Sequence, residues 1–177
     1  MLATQYGMGE FSLAQRIGQP PIYAQRLLDL HRQTYARFWR WSDGVEDYAL
    51  LKGTLHTVFG WQVHYGQDAK KVNTRSIRNF PMQANGAEML RLACILATEA
   101  GIAVCAPVHD AILIQAPLKQ LEATVTATQA FMREASQQVL NGFPLRSDTV
   151  LVRYPDRYQD ERGAVMWLTV WNLLYED

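Results

Sequence analysis

Residues 104–115 read V-C-A-P-V-H-D-A-I-L-I-Q, two short apolar runs with His109-Asp110 at their junction. Val104, Val108, Ile112 and Ile114 are β-branched and Leu113 completes the second run, so both runs favour strand. Pro107 lacks an amide hydrogen and suits a strand end or a bulge, not a helix interior. The expectation is a hairpin whose tight bend lifts one carboxylate, Asp110, out of an apolar sheet. A carboxylate presented in this way is a natural ligand for a hard cation such as Mg²⁺, which takes carboxylate and water oxygens.

Upstream of this hairpin, 73–101 is the longest helical candidate. Pro81 is expected to divide it into a short basic piece, T-R-S-I-R-N-F, and a main helix from Met82 that Gly101 ends. Along the main helix Ala87, Leu90, Ala93, Cys94 and Ala97 form the expected buried stripe, with Gln83, Glu88 and Arg91 off it. Earlier still, Gly53, Gly60 and Gly66 punctuate two strand-like pieces, 54–59 and 61–65, which read as a second hairpin followed by a polar loop over 67–73. Helices are expected over 10–17, stopped by Gly18, and from Pro20-Pro21 to Trp41. Ser42-Asp43-Gly44 reads as a bend before a further helix to Lys52.

Downstream, Pro117 opens a helix from Leu118 to Leu140, closed by Asn141-Gly142. Residues 149–153 are a strand candidate, and 164–174 is a Trp-containing apolar segment of either type. Helices, hairpin, helix, hairpin, helix and strand in this order argue for an α+β fold with one antiparallel sheet.

The 177 residues suffice for one domain or two small lobes. Hydrophobic residues make up 49%, enough for an ordinary core. Lys+Arg and Asp+Glu both number 17, so the formal charge is zero. Nucleic acid is neither demanded nor excluded by that balance, because binding depends on a local basic surface. Cys94 and Cys105 lack metal-site spacing and are expected to be buried reduced thiols. No apolar run approaches the ~18 residues of a membrane-spanning helix, and the first residues lack the pattern of a signal peptide. A cytoplasmic protein without membrane partners is the expectation. The opening segment has no helix-start signal, as if the chain began midway through an element.

Several motifs then fall into a known order. Y-G-M-G-E-F-S-L-A-Q-R-I-G (6–18) resembles the end of a fingers helix that reads Y-G-M-S and then L-A-x-x-L-G. R-S-I-R-N-F-P-M-Q-A-N-G-A-E (75–88) resembles R-x-x-x-N-x-P-x-Q-G-T-A-A-D, and V-H-D-A (108–111) resembles V-H-D-E. L-H-T-V-F-G-W (55–61) resembles a T-x-x-G-R-R turn. Together they resemble the C-terminal part of the family A DNA polymerases, the bacterial DNA polymerase I type, over roughly residues 1 to 150.

The resemblance implies a palm-type antiparallel sheet with packed helices over 53–177, preceded by a helical partial fingers portion over 1–52. It implies DNA primer-template and deoxynucleoside triphosphates as partners, Mg²⁺ as cofactor, and a role in DNA replication or repair. Asp110 would be one of two aspartates holding the metal pair, with His109 near the primer-terminal phosphate. Arg75 and Gln83 would reach the minor groove of the terminal base pairs, Asn79 would meet the template, and Tyr6 with Gly7 would pack on the nascent base pair.

The departures weigh as much. The first half of motif B and the motif A aspartate are not in this sequence. Ala111 stands where the family has Glu, Trp61 where it has Arg, and Ala84-Asn85-Gly86 where it has G-T-A. Two-metal chemistry needs two carboxylates bridging cations ~3.5–4 Å apart. The expectation is therefore a chain that does not polymerise by itself, either a fragment or one piece of a split enzyme whose missing half comes from another chain carrying motif A. Otherwise it is a catalytically dead nucleic-acid-binding or assembly module.

Taken singly, each residue has an ordinary explanation. Asp110 would be a turn residue, His109 a half-buried histidine, Gln83 part of a first helical turn, Tyr6 core, and Arg75 with Arg78 a solvated edge. The five tryptophans read as packing. A metal phosphohydrolase built on His109-Asp110 with His31, His64 and Asp148 is a further alternative, but it would need the His-Asp pair on a helix.

Overall fold

The computed structural model describes residues 4, 6–65, 73–158 and 160–175. Helix α1 (Glu10–Ile17) ends at Gly18 in the left-handed conformation, φ 63°. Helix α2 (Pro21–Thr34) starts on its proline, and α3 (Ala36–Lys52) runs to Gly53. Strands β1 (Thr54–His56) and β2 (Gln62–His64) form the first antiparallel hairpin. Helix α4 (Thr74–Glu99) leads through Gly101, φ 80°, into β3 (Ala103–Val108) and β4 (Ala111–Gln115). A 3₁₀ turn (Leu118–Gln120), α5 (Leu121–Val139), a second 3₁₀ turn (Glu161–Gly163) and α6 (Ala164–Tyr175) complete the order.

The class is α+β, as the element order suggests. The strands form two separate two-stranded sheets, however, where one sheet was expected. The strand expected over 149–153 is irregular instead. Gln129 of α5 explains its course: its side-chain amide donates to the Ser147 carbonyl at 2.8 Å and to Thr149 Oγ1 at 3.0 Å. The segment is thus tied along α5 and joins neither hairpin.

The packed centre sits where α3, β1 and α4 meet. Ala49, Leu55 and Ile77 are buried there, with Val45, Val63, Tyr65 and Phe80 around them. A second contact joins α4 to α5, where Ala93, Ala97, Ala135 and Val139 are buried. Small residues let those two helices approach closely.

Packing overrules the sequence expectation in several places. The long helix breaks at Tyr35 and runs straight through Ser42-Asp43-Gly44. Ser42 is buried and Asp43 bridges Arg32 and Arg78, so both residues are held in helix by neighbours. Pro81 sits inside α4 without dividing it. An interior proline costs a helix ~3 kcal/mol. Here the turns before it are held by buried Ile77 and by Phe80 against Trp61, and those after it by α5. Glu88, expected off the buried stripe, is buried, while Ala87 is exposed. Cys105 is exposed and not buried, and lies at the bulge in β3 where the register shifts between Val104 and Ala106. The loop expected over 67–72 lies outside the described residues. Among the described residues no helix is long and apolar enough to cross a membrane.

Candidate nucleic-acid interface

Asn73 caps α4: its Oδ1 accepts from the amides of Arg75 at 3.1 Å and Ser76 at 3.4 Å. This satisfies two of the amides a helix start leaves unpaired, where the helix dipole also favours negative charge. The two arginines on this turn then differ. Arg78 is half-buried: its Nε donates to Glu46 Oε2 at 2.6 Å and its Nη2 lies 2.8 Å from Asp43 Oδ1. Asp43 Oδ2 also accepts from Arg32 at 2.8 Å, so Arg78 ties α4 to α3 and leaves no net charge for a ligand. Arg75 is exposed and has no ion-pair partner among the described residues.

Gln83, two turns further on, reaches back to the chain's start. Its Nε2 donates to the Tyr6 hydroxyl at 2.8 Å, joining residues 77 apart in sequence. Gly7 has φ 84°, and a Cβ there would lie 3.1 Å from Arg75 Cγ. Tyr6, Gly7, Arg75 and Asn79 line one cleft of about 210 Å³, walled by Trp39 and Glu46. The Asn79 side-chain oxygen is buried and has no hydrogen-bond partner among the described residues. A buried acceptor of this kind takes a water or a ligand N–H or O–H as its partner. Five residues singled out in the sequence are thus brought together.

His109 and Asp110 are not joined to them. The hairpin forms as expected, with Val108 opposite Ala111 and a two-residue bend between. His109 takes φ 55°, so the pair lies in a β turn and not on a helix. The phosphohydrolase arrangement needs the helical form, and His31 instead accepts from Trp39 Nε1 through its Nδ1. Both bend residues are exposed and make no hydrogen bond or ion pair with Tyr6, Arg75, Asn79 or Gln83. Both strands of the hairpin lean on α4.

Sequence reasoning missed a polar lock behind this surface. The buried Glu88 carboxylate accepts from Thr57 Oγ1 at 2.8 Å and from Arg91 Nε and Nη2. These hydrogen bonds, Arg91's first and Thr57's second, hold its carboxyl below the usual carboxylate value. Thr57 Oγ1 in turn accepts from the Trp61 amide at 2.9 Å, and Asn85 Oδ1 from the Val58 amide at 3.1 Å. The β1–β2 turn is therefore pinned to α4 by two α4 side chains. The signal was available: 55–61 and 75–88 were both singled out, and what was missed was that they contact each other.

Comparison with known proteins bears on what such a surface is for. The family model for DNA polymerase family A matches residues 2–151. The chain belongs to DNA polymerase family A. Among curated family A proteins, DNA polymerase I of Deinococcus radiodurans is 24% identical over 142 residues, covering 75% of this chain and 15% of that protein. The thermostable DNA polymerase I of Thermus aquaticus is 24% identical over 139 residues, covering 72% and 16%. The chain thus spans about a sixth of the length of these relatives. Among solved structures, the POL domain of Pol1 from M. smegmatis, in complex with DNA primer-template and dNTP, aligns with a TM-score of 0.67. That match has 19% identity and covers 76% of this chain and 26% of that one, a likeness of fold. The family A match takes in every site residue named above and stops before α6.

Family A membership raises the question of divalent metal. Among the described residues no three His, Cys, Asp or Glu groups gather into a cluster that could hold a metal ion. Asp110 offers one exposed carboxylate. Two bridged cations need a second one, so the residues present do not by themselves fit a two-metal site.

Proposed function

We propose that this chain is the duplex-gripping part of a DNA-directed DNA polymerase, and that it is inactive in nucleotidyl transfer by itself. The observation that carries the reading is the Gln83–Tyr6 hydrogen bond beside Arg75, which has no ion-pair partner among the described residues. It makes one polar surface out of segments that family A places on the primer-template.

In this reading Arg75 and Gln83 donate to minor-groove acceptors of the terminal base pairs. A·T and T·A present the same acceptors there, so the grip is nearly blind to sequence, which copying requires. Tyr6 orients the Gln83 amide and packs on the nascent base pair formed by the incoming deoxynucleoside triphosphate. Gly7 leaves room for the Arg75 stem, and Asn79 accepts from the template side. Residues 1–52 act as a partial fingers portion and 53–177 as a palm portion. His109 stands near the primer-terminal phosphate, and Asp110 supplies one Mg²⁺ ligand. A second aspartate would come from outside these 177 residues, in the same polypeptide or a complementing chain. The setting is DNA replication or repair in the cytoplasm.

The test is fluorescence anisotropy with a labelled duplex bearing a recessed 3′ end. The chain is expected to bind it in preference to single strands, with equal affinity across sequences. Absence of binding at low salt would overturn the reading. The lone carboxylate also favours a second reading, a nucleic-acid-binding or assembly module without catalysis. Adding a chain that carries motif A separates the two: synthesis appears in the first case only.

A further inference from the structure

Helix α6 is the least partnered element of the protein. Its twelve residues, A-V-M-W-L-T-V-W-N-L-L-Y, carry no charge, and only Thr169 and Asn172 are polar. No residue of it is buried. Val165, Met166, Trp167, Leu168, Leu173, Leu174 and Tyr175 are each more than half exposed. Its main packing among the described residues is with the 3₁₀ turn that precedes it. Three of its rings form a ladder along one face, Trp167 to Trp171 at 5.7 Å and Trp171 to Tyr175 at 4.7 Å between centroids.

An apolar helix of this kind is covered in its working state. With ~150–250 Å² for each aromatic and less for Leu, Val and Met, its exposed apolar surface comes to roughly 1,000 Å². The largest patch on a monomer is typically about 300–600 Å², and a standard interface buries about 800 Å² on each partner. Trp167, Leu168, Trp171, Leu174 and Tyr175 share one face of the helix and supply the larger part of that area, the order that one side of a stable dimer buries.

What covers it follows from its chemistry and position. The match to the polymerase family ends at residue 151, before α6. Nucleic acid finds no cation on the helix, and the neighbouring Arg162 is paired with Asp160 at 2.7 Å. A bilayer does not suit it either. Twelve residues span ~18 Å of a ~30 Å hydrocarbon core, and the sequence on either side is acidic: Asp160, Glu161, Glu176 and Asp177. Another copy of this chain meets neither objection. The formal charge of the chain is zero, so copies do not repel one another. A surface with no charge on it is complementary to itself about a twofold axis.

We propose that α6 is a self-association helix that pairs with α6 of a second copy of this chain, with Trp167, Trp171 and Tyr175 as anchors. The inference stands on α6 alone and does not depend on the polymerase reading. Sedimentation equilibrium on the full chain tests it. Wild type is expected at twice its 20.2 kDa mass, with reversible dissociation on dilution. Trp171→Lys combined with Leu174→Lys is expected to sediment as a monomer, with a dissociation constant raised at least ~100-fold, as loss of anchors of ~2 kcal/mol or more implies. Trp167→Arg is the second variant, expected to act in the same direction. Leu51→Lys, at a site 84% exposed on α3, is expected to leave the dimer intact. A monomeric wild type, a dimer that survives both α6 variants, equal loss in Leu51→Lys, irreversible higher aggregates, or α6-dependent binding to neutral lipid vesicles would each overturn it.

Discussion

At the start of α4, Asn73 caps the helix, Gln83 is hydrogen-bonded to Tyr6, and Arg75, without an ion-pair partner among the described residues, stands beside a buried acceptor on Asn79. At the tip of the β3–β4 hairpin, His109 and Asp110 stand exposed, joined to none of those groups by a hydrogen bond or ion pair. The first region is held in place by contacts made within the chain. The second presents a single exposed carboxylate, with no metal-holding cluster of His, Cys, Asp or Glu among the described residues. In the proposed reading the first region carries the duplex grip and the second supplies one carboxylate of the transfer centre. The two regions share no hydrogen bond or ion pair among the described residues, so experiments can push on each independently.

The largest effect concerns the incomplete region. The 177-residue chain with Mg²⁺, a primed template and all four nucleotides is expected to extend no primer on a sequencing gel. Addition of a chain bearing motif A is expected to restore extension, and Asp110→Ala to abolish it again. Extension by the chain alone would erase the contrast.

Next is the gripping region. Arg75→Ala is expected to weaken duplex binding about tenfold, equally for all sequences, and to lower the salt dependence by about one counterion. A loss confined to particular sequences would mean base readout instead of a sequence-blind grip.

A smaller effect is expected on the lock behind that region. Glu88→Gln removes a carboxylate whose folded pKa lies below the usual 4.5. A carboxyl with a lowered folded pKa stabilises the fold above its unfolded value, and that contribution is lost as pH falls through the folded value. The variant is therefore expected to melt below wild type at pH 7 in circular dichroism. The gap should close as the pH falls from the ordinary carboxylate value through the lowered folded one. A gap that persists unchanged into acid would show that packing, not charge, holds the β1–β2 turn.

The smallest effect is on binding at the hairpin tip. Asp110→Asn, without divalent cation, is expected to change duplex affinity by less than about twofold, since nothing in the chain depends on that carboxylate.

The bend at His109-Asp110 was legible because β-branched runs and Pro107 act locally. The stop at Gly18 and the passage through Gly101 were legible for the same reason: a left-handed turn asks for glycine. What local chemistry could not show was the outcome of packing. Ser42-Asp43-Gly44 has the composition of a bend, yet Asp43 is fixed in helix by Arg32 and Arg78. Pro81 should end a helix, yet Ile77 on one side and α5 on the other hold α4 together. Glu88 looked solvated because its partner Thr57 lies 31 residues away. The tryptophans, expected as packing, are largely exposed: Trp41, Trp61, Trp167 and Trp171 all face solvent, although Trp61 touches Phe80 and Trp167 touches Trp171. In the candidate site, motif order singled out the residues that the fold brings together around Tyr6 and Gln83. The Tyr6–Gln83 bond that joins two of the motifs required the fold.

The most direct test of the duplex grip is to titrate the ¹⁵N-labelled chain with a recessed-end duplex and follow side-chain N–H resonances. The account predicts the largest shifts at Gln83 Nε2, Arg75 Nε and the Asn79 amide, with those of Arg78 and Arg91 nearly still. Shifts concentrated away from the start of α4, with Gln83 and Arg75 unmoved in the saturated complex, would contradict it.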